Sequence, residues 1–197
     1  MKQALRSNSG FSVSGNFYVY LALLLLVVPL RWLLASMMSA GAHEAFHLLA
    51  LRLMGVPVYG LQIRPQGAKI QTGPMTDKQE LLCALAGPIG SLCLLPAVRW
   101  MPAVCLCAAF QSLYNLLPVY PADGGRALRC GLRLLLPEGC AKRLCGMVEI
   151  MTLVALLLTG LYGTCRLRLG IMPLLIAAAI LWEWRKSACN ACSCGLQ

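Results

Sequence analysis

His43-Glu44-Ala45-Phe46-His47 contains both histidines of this 197-residue chain. The stretch lies inside a hydrophobic run, 35–54, of about the length needed to cross a bilayer. On a helix, residues four apart share a face with Cβ atoms about 5–6 Å apart, so two imidazoles can turn their ring nitrogens onto one zinc ion. Glu44 then projects beside the metal without having to bind it. This HExxH arrangement suits hydrolysis, because the carboxylate can take a proton from water and hand it to a leaving amine. Taken alone, His43 also fits a hydrogen-bonded interior histidine, so a second feature has to decide.

Composition points to a membrane before any motif is considered. The chain is 59% hydrophobic and 12% charged, against about 45–50% and about 25% in a soluble globular domain. Its net charge of +10 raises the question of nucleic acid. The basic residues, however, occur in short clusters between apolar runs, as cytoplasmic loops do, and not as one continuous footprint. Nucleic acid is therefore not an expected partner; the lipid bilayer is.

The expected fold class is an all-α multispanning membrane protein with about six transmembrane helices: 17–34, 35–54, 81–99, 102–117, 144–163 and 170–184. The first run is too long for the apolar core of a signal peptide and lacks a small-residue cleavage site after it. Its junction with the second run, placed after Leu34, is punctuated only by Pro29 and Arg31. With the amino terminus inside, thirteen of the seventeen Lys and Arg residues fall on the cytoplasmic side. Both termini are accordingly expected in the cytoplasm, in a multi-pass protein of the cell membrane. The basic, partly amphipathic stretch 126–143 is expected to lie on the anionic inner surface.

Between the second and third runs, 56–73 changes texture. Val58, Leu61, Ile63, Ala68 and Ile70 alternate with polar residues around the turn-like Pro65-Gln66-Gly67, which predicts a short β-hairpin. It is either a plain connection or an edge strand beside the active site that pairs with an extended substrate.

A second constellation, Asn115-Leu116-Leu117-Pro118-Val119-Tyr120-Pro121-Ala122-Asp123-Gly124-Gly125, ends the fourth run. Two prolines three residues apart cannot sit in a regular helix, because each lacks an amide donor and clashes with the preceding turn. Broken backbone at membrane depth is tolerated only where protein buries it or water reaches it. Asp123 stands at that break and is the expected third ligand beside His43 and His47, leaving the fourth tetrahedral position open, as in catalytic zinc sites. Asn115 reads, from the sequence alone, as a helix-capping or interhelical hydrogen bond.

HEAFH followed two runs later by NLLPVYPADGG resembles the site-2 protease family of intramembrane zinc metalloproteases. The matching positions are His43, Glu44 and His47, then Asn115, Pro118, Pro121, Asp123 and Gly124. The resemblance implies zinc on His43, His47 and Asp123, Glu44 as general base, and Asn115 in contact with substrate or intermediate. It covers about 35–126, the expected catalytic core of a single membrane-embedded protease domain spanning 1–197. The layout is similar to that of the sporulation branch, which implies cleavage of a transmembrane or membrane-associated protein on the cytoplasmic side, such as a sigma-factor pro-sequence or an anti-sigma factor. Ser91 departs from the family, standing where an asparagine is common after Leu85-Ala86-Gly87-Pro88-Ile89-Gly90. Gly87, Gly90 and Ser91 read as small residues that allow close helix packing. No CBS or PDZ domain is expected, and regulation is expected from partners, an inhibitory membrane protein among them.

The eleven cysteines do not form a disulfide pattern. Cys83, Cys93, Cys105, Cys107 and Cys145 fall within or at the ends of apolar runs as small hydrophobes, and the tail bearing Cys189, Cys192 and Cys194 offers three thiolates without a fourth partner, open to metal binding or lipidation. Two rival functions remain: a catalytically inactive client-binding membrane protein, and a metal transporter. The intact HExxH argues against the first. Against the second, the two interrupted segments do not resemble each other as repeated halves would.

Overall fold

Pro29 divides the amino-terminal apolar stretch in the computed structural model, which describes residues 10–64, 67–166, 174–182 and 184–185. Helix α1 (Gly15–Val27) ends before it and α2 (Leu30–Leu53) begins after it. Proline confines the preceding residue to extended backbone, and Val28 has φ −103° and ψ 128°. The boundary expected after Leu34 thus falls earlier, and Arg31 belongs to the first turn of α2.

Helix α2 buries one stripe. Ala35, Ser39, His43, His47 and Leu51 are all buried at four-residue intervals, so both histidines lie on the face that packs. Its carboxyl end closes as a Schellman motif: Val56 N–H donates to Leu51 O at 3.0 Å and Gly55 N–H to Arg52 O at 3.1 Å. Gly55 sits at φ +69°, the left-handed conformation this motif needs and glycine adopts without penalty. Val56 and Leu51 then join Cys83 in a buried apolar cluster.

The expected hairpin is present. Strands β2 (Val58–Arg64) and β3 (Gly67–Thr72) pair antiparallel, with Leu61 opposite Ile70 and Ile63 opposite Ala68. A short strand β1 (Phe11–Val13), which the sequence did not announce, adds parallel to β2. The order β1-β2-β3 leaves β3 at an edge of the sheet. The turn residues Pro65 and Gln66, residues 170–173 of the last expected run, and Cys189, Cys192 and Cys194 lie outside the described residues.

Helix α3 (Asp77–Leu92) starts at a capping box: Thr76 Oγ1 accepts from Gln79 N–H, and Gln79 Oε1 accepts from Thr76 N–H, satisfying two amides that the helix leaves unpaired. It packs along α2 through small residues, since a Cβ at Gly90 would collide with the Phe46 ring. A 3-10 turn (Leu95–Arg99) leads to α4 (Pro102–Asn115). Ser39 Oγ donates to Gln111 Oε1 of α4 at 2.6 Å, and Ser112 Oγ donates to Pro88 O of α3 at 3.2 Å.

The chain divides into two units, Met1–Leu113 and Tyr114–Gln197. In the second, α5 (Asp123–Leu135) packs on α6 (Glu138–Cys165). Val119, Leu153 and Ile180 form its buried apolar cluster.

Six crossings are not reproduced among the described residues. Two helical stretches, Asp77–Arg99 and Glu138–Cys165, are long and apolar enough to span a membrane. Helix α1 is apolar but has 13 residues, about 20 Å at ~1.5 Å per residue, and α4 has 14, both short of the ~30 Å hydrocarbon core. The proline break explains the first shortfall. Large apolar side chains nevertheless cover much of the surface, among them Leu26, Val27, Met151 and Leu158. None of the described cysteines is joined in a disulfide.

Candidate metal centre

His43 and His47 are 3% and 5% exposed, and each is held by its Nδ1. His47 Nδ1 lies 2.8 Å from the main-chain oxygen of Cys83. A carbonyl only accepts, so this nitrogen carries the proton and Nε2 keeps its lone pair. His43 Nδ1 lies 3.0 Å from Ser91 Oγ, and that hydroxyl donates onward to Gly87 O at 3.3 Å. Having spent its proton there, Ser91 accepts from His43 Nδ1–H, which leaves His43 Nε2 unprotonated as well.

The two Nε2 atoms face each other at 3.1 Å, with the rings at 81°. Two lone pairs at that distance repel unless a cation lies between them. Two tetrahedral ligands at ~2.0–2.1 Å from a zinc ion stand about 3.3 Å apart, so the observed spacing is that of a metal-binding pair. Gly87 leaves the space: a Cβ there would lie 2.7 Å from His43 Nε2 and closer still to His47 Nε2. The donor set, its fixed tautomers and the bare glycine opposite it fit a divalent metal ion.

Glu44, half-buried beside the pair, meets the hairpin. A Cβ at Gly67, the first residue of β3, would stand 4.0 Å from Glu44 Oε1. The edge strand therefore begins next to the carboxylate. His43, Glu44, His47, Ser91 and the start of β3 are thus gathered within the first unit.

Asp123 and Asn115 belong to the second unit. Asn115 is the last residue of α4 and is half-buried. Asp123 is buried at the first residue of α5, and Arg126 one turn on lies 3.6 Å from its Oδ1. The segment before it doubles back on the helix start. A Cβ at Gly124 would strike Leu116 O, and one at Gly125 would strike the backbone of Val119 and Tyr120. The paired glycines of the Ala-Asp-Gly-Gly sequence are explained by this close backbone approach.

Ser91 and the Cys83 carbonyl were not expected to touch the histidines. A small hydroxyl residue one turn beyond Gly87 is the only sign of the first in the sequence; the second has none, since every residue carries a carbonyl.

No family model matches the chain, and no curated protein matches its sequence. Among solved structures it is similar to the site-2 protease from Methanocaldococcus jannaschii, with a TM-score of 0.61 and 19% identity over 86% of this chain and 84% of that one. At this identity the likeness establishes the fold.

Proposed function

We propose that this chain, which has the fold of a site-2 protease, is an intramembrane zinc metalloprotease. The observation that carries the reading is the pair of Nε2 lone pairs 3.1 Å apart, oriented through Nδ1 and set beside Glu44 on that fold. Asp123 supplies the third ligand, as the NLLPVYPADGG motif suggests, and zinc is the metal. When bound, zinc supplies Lewis acidity, polarising a carbonyl and bringing the pKa of water toward about 7.

The chain's own residues do the rest. Glu44 accepts the proton of the attacking water and returns it to the leaving amine. Asn115 donates a hydrogen bond to the substrate carbonyl or backbone. Strand β3, an edge strand that starts beside Glu44, pairs with the substrate and holds it extended, since a helical peptide bond is shielded by its own hydrogen bonds. The substrate is a transmembrane or membrane-associated protein; the sequence resemblance favours a sigma-factor pro-sequence or an anti-sigma factor. The protein resides in the cell membrane with both termini and the site toward the cytoplasm, and an inhibitory membrane protein is its candidate regulator.

Glu44→Gln and Asp123→Ala test the assignment. Glu44→Gln is expected to bind zinc at about the wild-type level while cleavage of a model membrane substrate falls by about 10²–10⁴-fold. Asp123→Ala is expected to lose activity and to bind zinc much more weakly, through the two histidines alone. Unchanged proteolysis in Glu44→Gln would remove it as the base, and full zinc occupancy in Asp123→Ala would place the third ligand elsewhere.

A further inference from the structure

One buried carboxylate has no part in the chemistry above. Glu149 is 7% exposed and lies well inside α6, a helix long and apolar enough to cross a membrane. A charge at such a depth is costly and is kept where it has partners and a task. Both of its oxygens are engaged. Arg129 Nη2 of α5 donates to Oε1 at 3.2 Å, and the Trp184 indole N–H donates to Oε2 at 3.1 Å.

Arg129 has a second contact. Its guanidinium carbon stands 4.5 Å from the centroid of the Tyr120 ring. A planar guanidinium can give its edge to a carboxylate and its face to an aromatic ring at once, which an ammonium cannot. Tyr120 lies in the folded-back segment ahead of α5, three residues before Asp123, and the neighbouring Val119 is buried against Leu153 of α6. A continuous set of contacts therefore runs from Trp184 through Glu149 and Arg129 to the segment that carries Asp123.

We infer that Arg129 and Glu149 are positioning residues for Asp123, holding Tyr120 and, through the short segment after it, the carboxylate that binds the metal. The inference rests on the reading of Asp123 as a ligand. It concerns geometry, so its measure is metal affinity and the coupling of that affinity to Asp123.

The experiment is a zinc competition titration against a chromophoric chelator, using the full chain purified in detergent. Glu149→Gln and Arg129→Gln are each measured in the wild-type background and together with Asp123→Ala. The expected result is a loss of affinity of about 10–100-fold for each single variant, the range for groups that orient metal ligands, and no further loss where Asp123 is already absent. Losses that persist in the Asp123→Ala background would mark a general effect on folding and overturn the inference while leaving Asp123 a ligand. Unchanged affinity in both single variants would overturn it as well. Unchanged affinity in Asp123→Ala itself would overturn the ligand reading and the inference together.

Should Glu149→Gln or Arg129→Gln fail to fold, Tyr120 carries the same decision. Tyr120→Phe keeps the ring under the guanidinium and is expected to keep its affinity. Tyr120→Leu is expected to lose affinity only when Asp123 is present; equal affinity for the two would overturn the inference.

Discussion

Ser91 and Cys83 share the task of orienting the two imidazoles, one through a side-chain hydroxyl and the other through its main-chain oxygen. Removing the hydroxyl frees the His43 ring to change tautomer and rotamer, so Ser91→Ala is expected to weaken zinc binding by about 10–100-fold, read by competition titration. Gly87→Ala is the harsher change, because the new methyl group would occupy the space in front of both Nε2 atoms. It is expected to abolish zinc binding while the protein remains helical by circular dichroism; retained zinc would mean that the metal does not sit between the two rings. The pairing of His43 with His47 was legible in the sequence because it depends on helical spacing alone. Ser91 was not, because its partner is 48 residues away and only the packing of α3 on α2 brings them together.

At the scale of elements, the end of α2 and the strand that follows are one device. The Schellman closure at Gly55 turns the chain out of the helix three residues ahead of β2, and the hairpin then returns to Glu44 at Gly67. Gly55→Ala places a Cβ in the left-handed conformation at a cost of roughly 1–2 kcal/mol, expected as a lowered thermal unfolding midpoint without loss of metal. If β3 receives the substrate, peptides N-methylated on alternate residues near the scissile bond are expected to be cleaved poorly, while methylation on the intervening residues is tolerated. Equal cleavage of both sets would exclude strand pairing. The hairpin was foreseeable because alternation is local. The helix boundary was misplaced because 30–35 reads as helix on either assignment, and Pro29 acts only by barring its neighbour Val28 from helical backbone. Strand β1 escaped notice since three residues acquire strand character only from a partner some fifty positions on.

For the whole molecule, α6 offers a natural test of orientation. Cys140 near its start and Cys165 at its end are both exposed thiols. An impermeant thiol reagent is expected to modify Cys165 on intact cells and Cys140 only once the cytoplasmic face is opened, with the sites identified by mass spectrometry. The reverse pattern would invert the proposed topology. Composition pointed toward a membrane, but the number of crossings did not follow from it, since apolar runs separated by prolines and short turns yield helices as short as α1 and α4. The buried stripe of α2 has a last consequence. Ala35, Ser39, His43, His47 and Leu51 make one face, so the two proposed histidine ligands are themselves packing residues. Selection on activity and selection on folding then act on the same side chains, and a homologue drifting in sequence can relax neither alone. Variation should accumulate on the opposite face of α2, and a rotation of that helix by a single residue would dismantle the scaffold and the chemistry together.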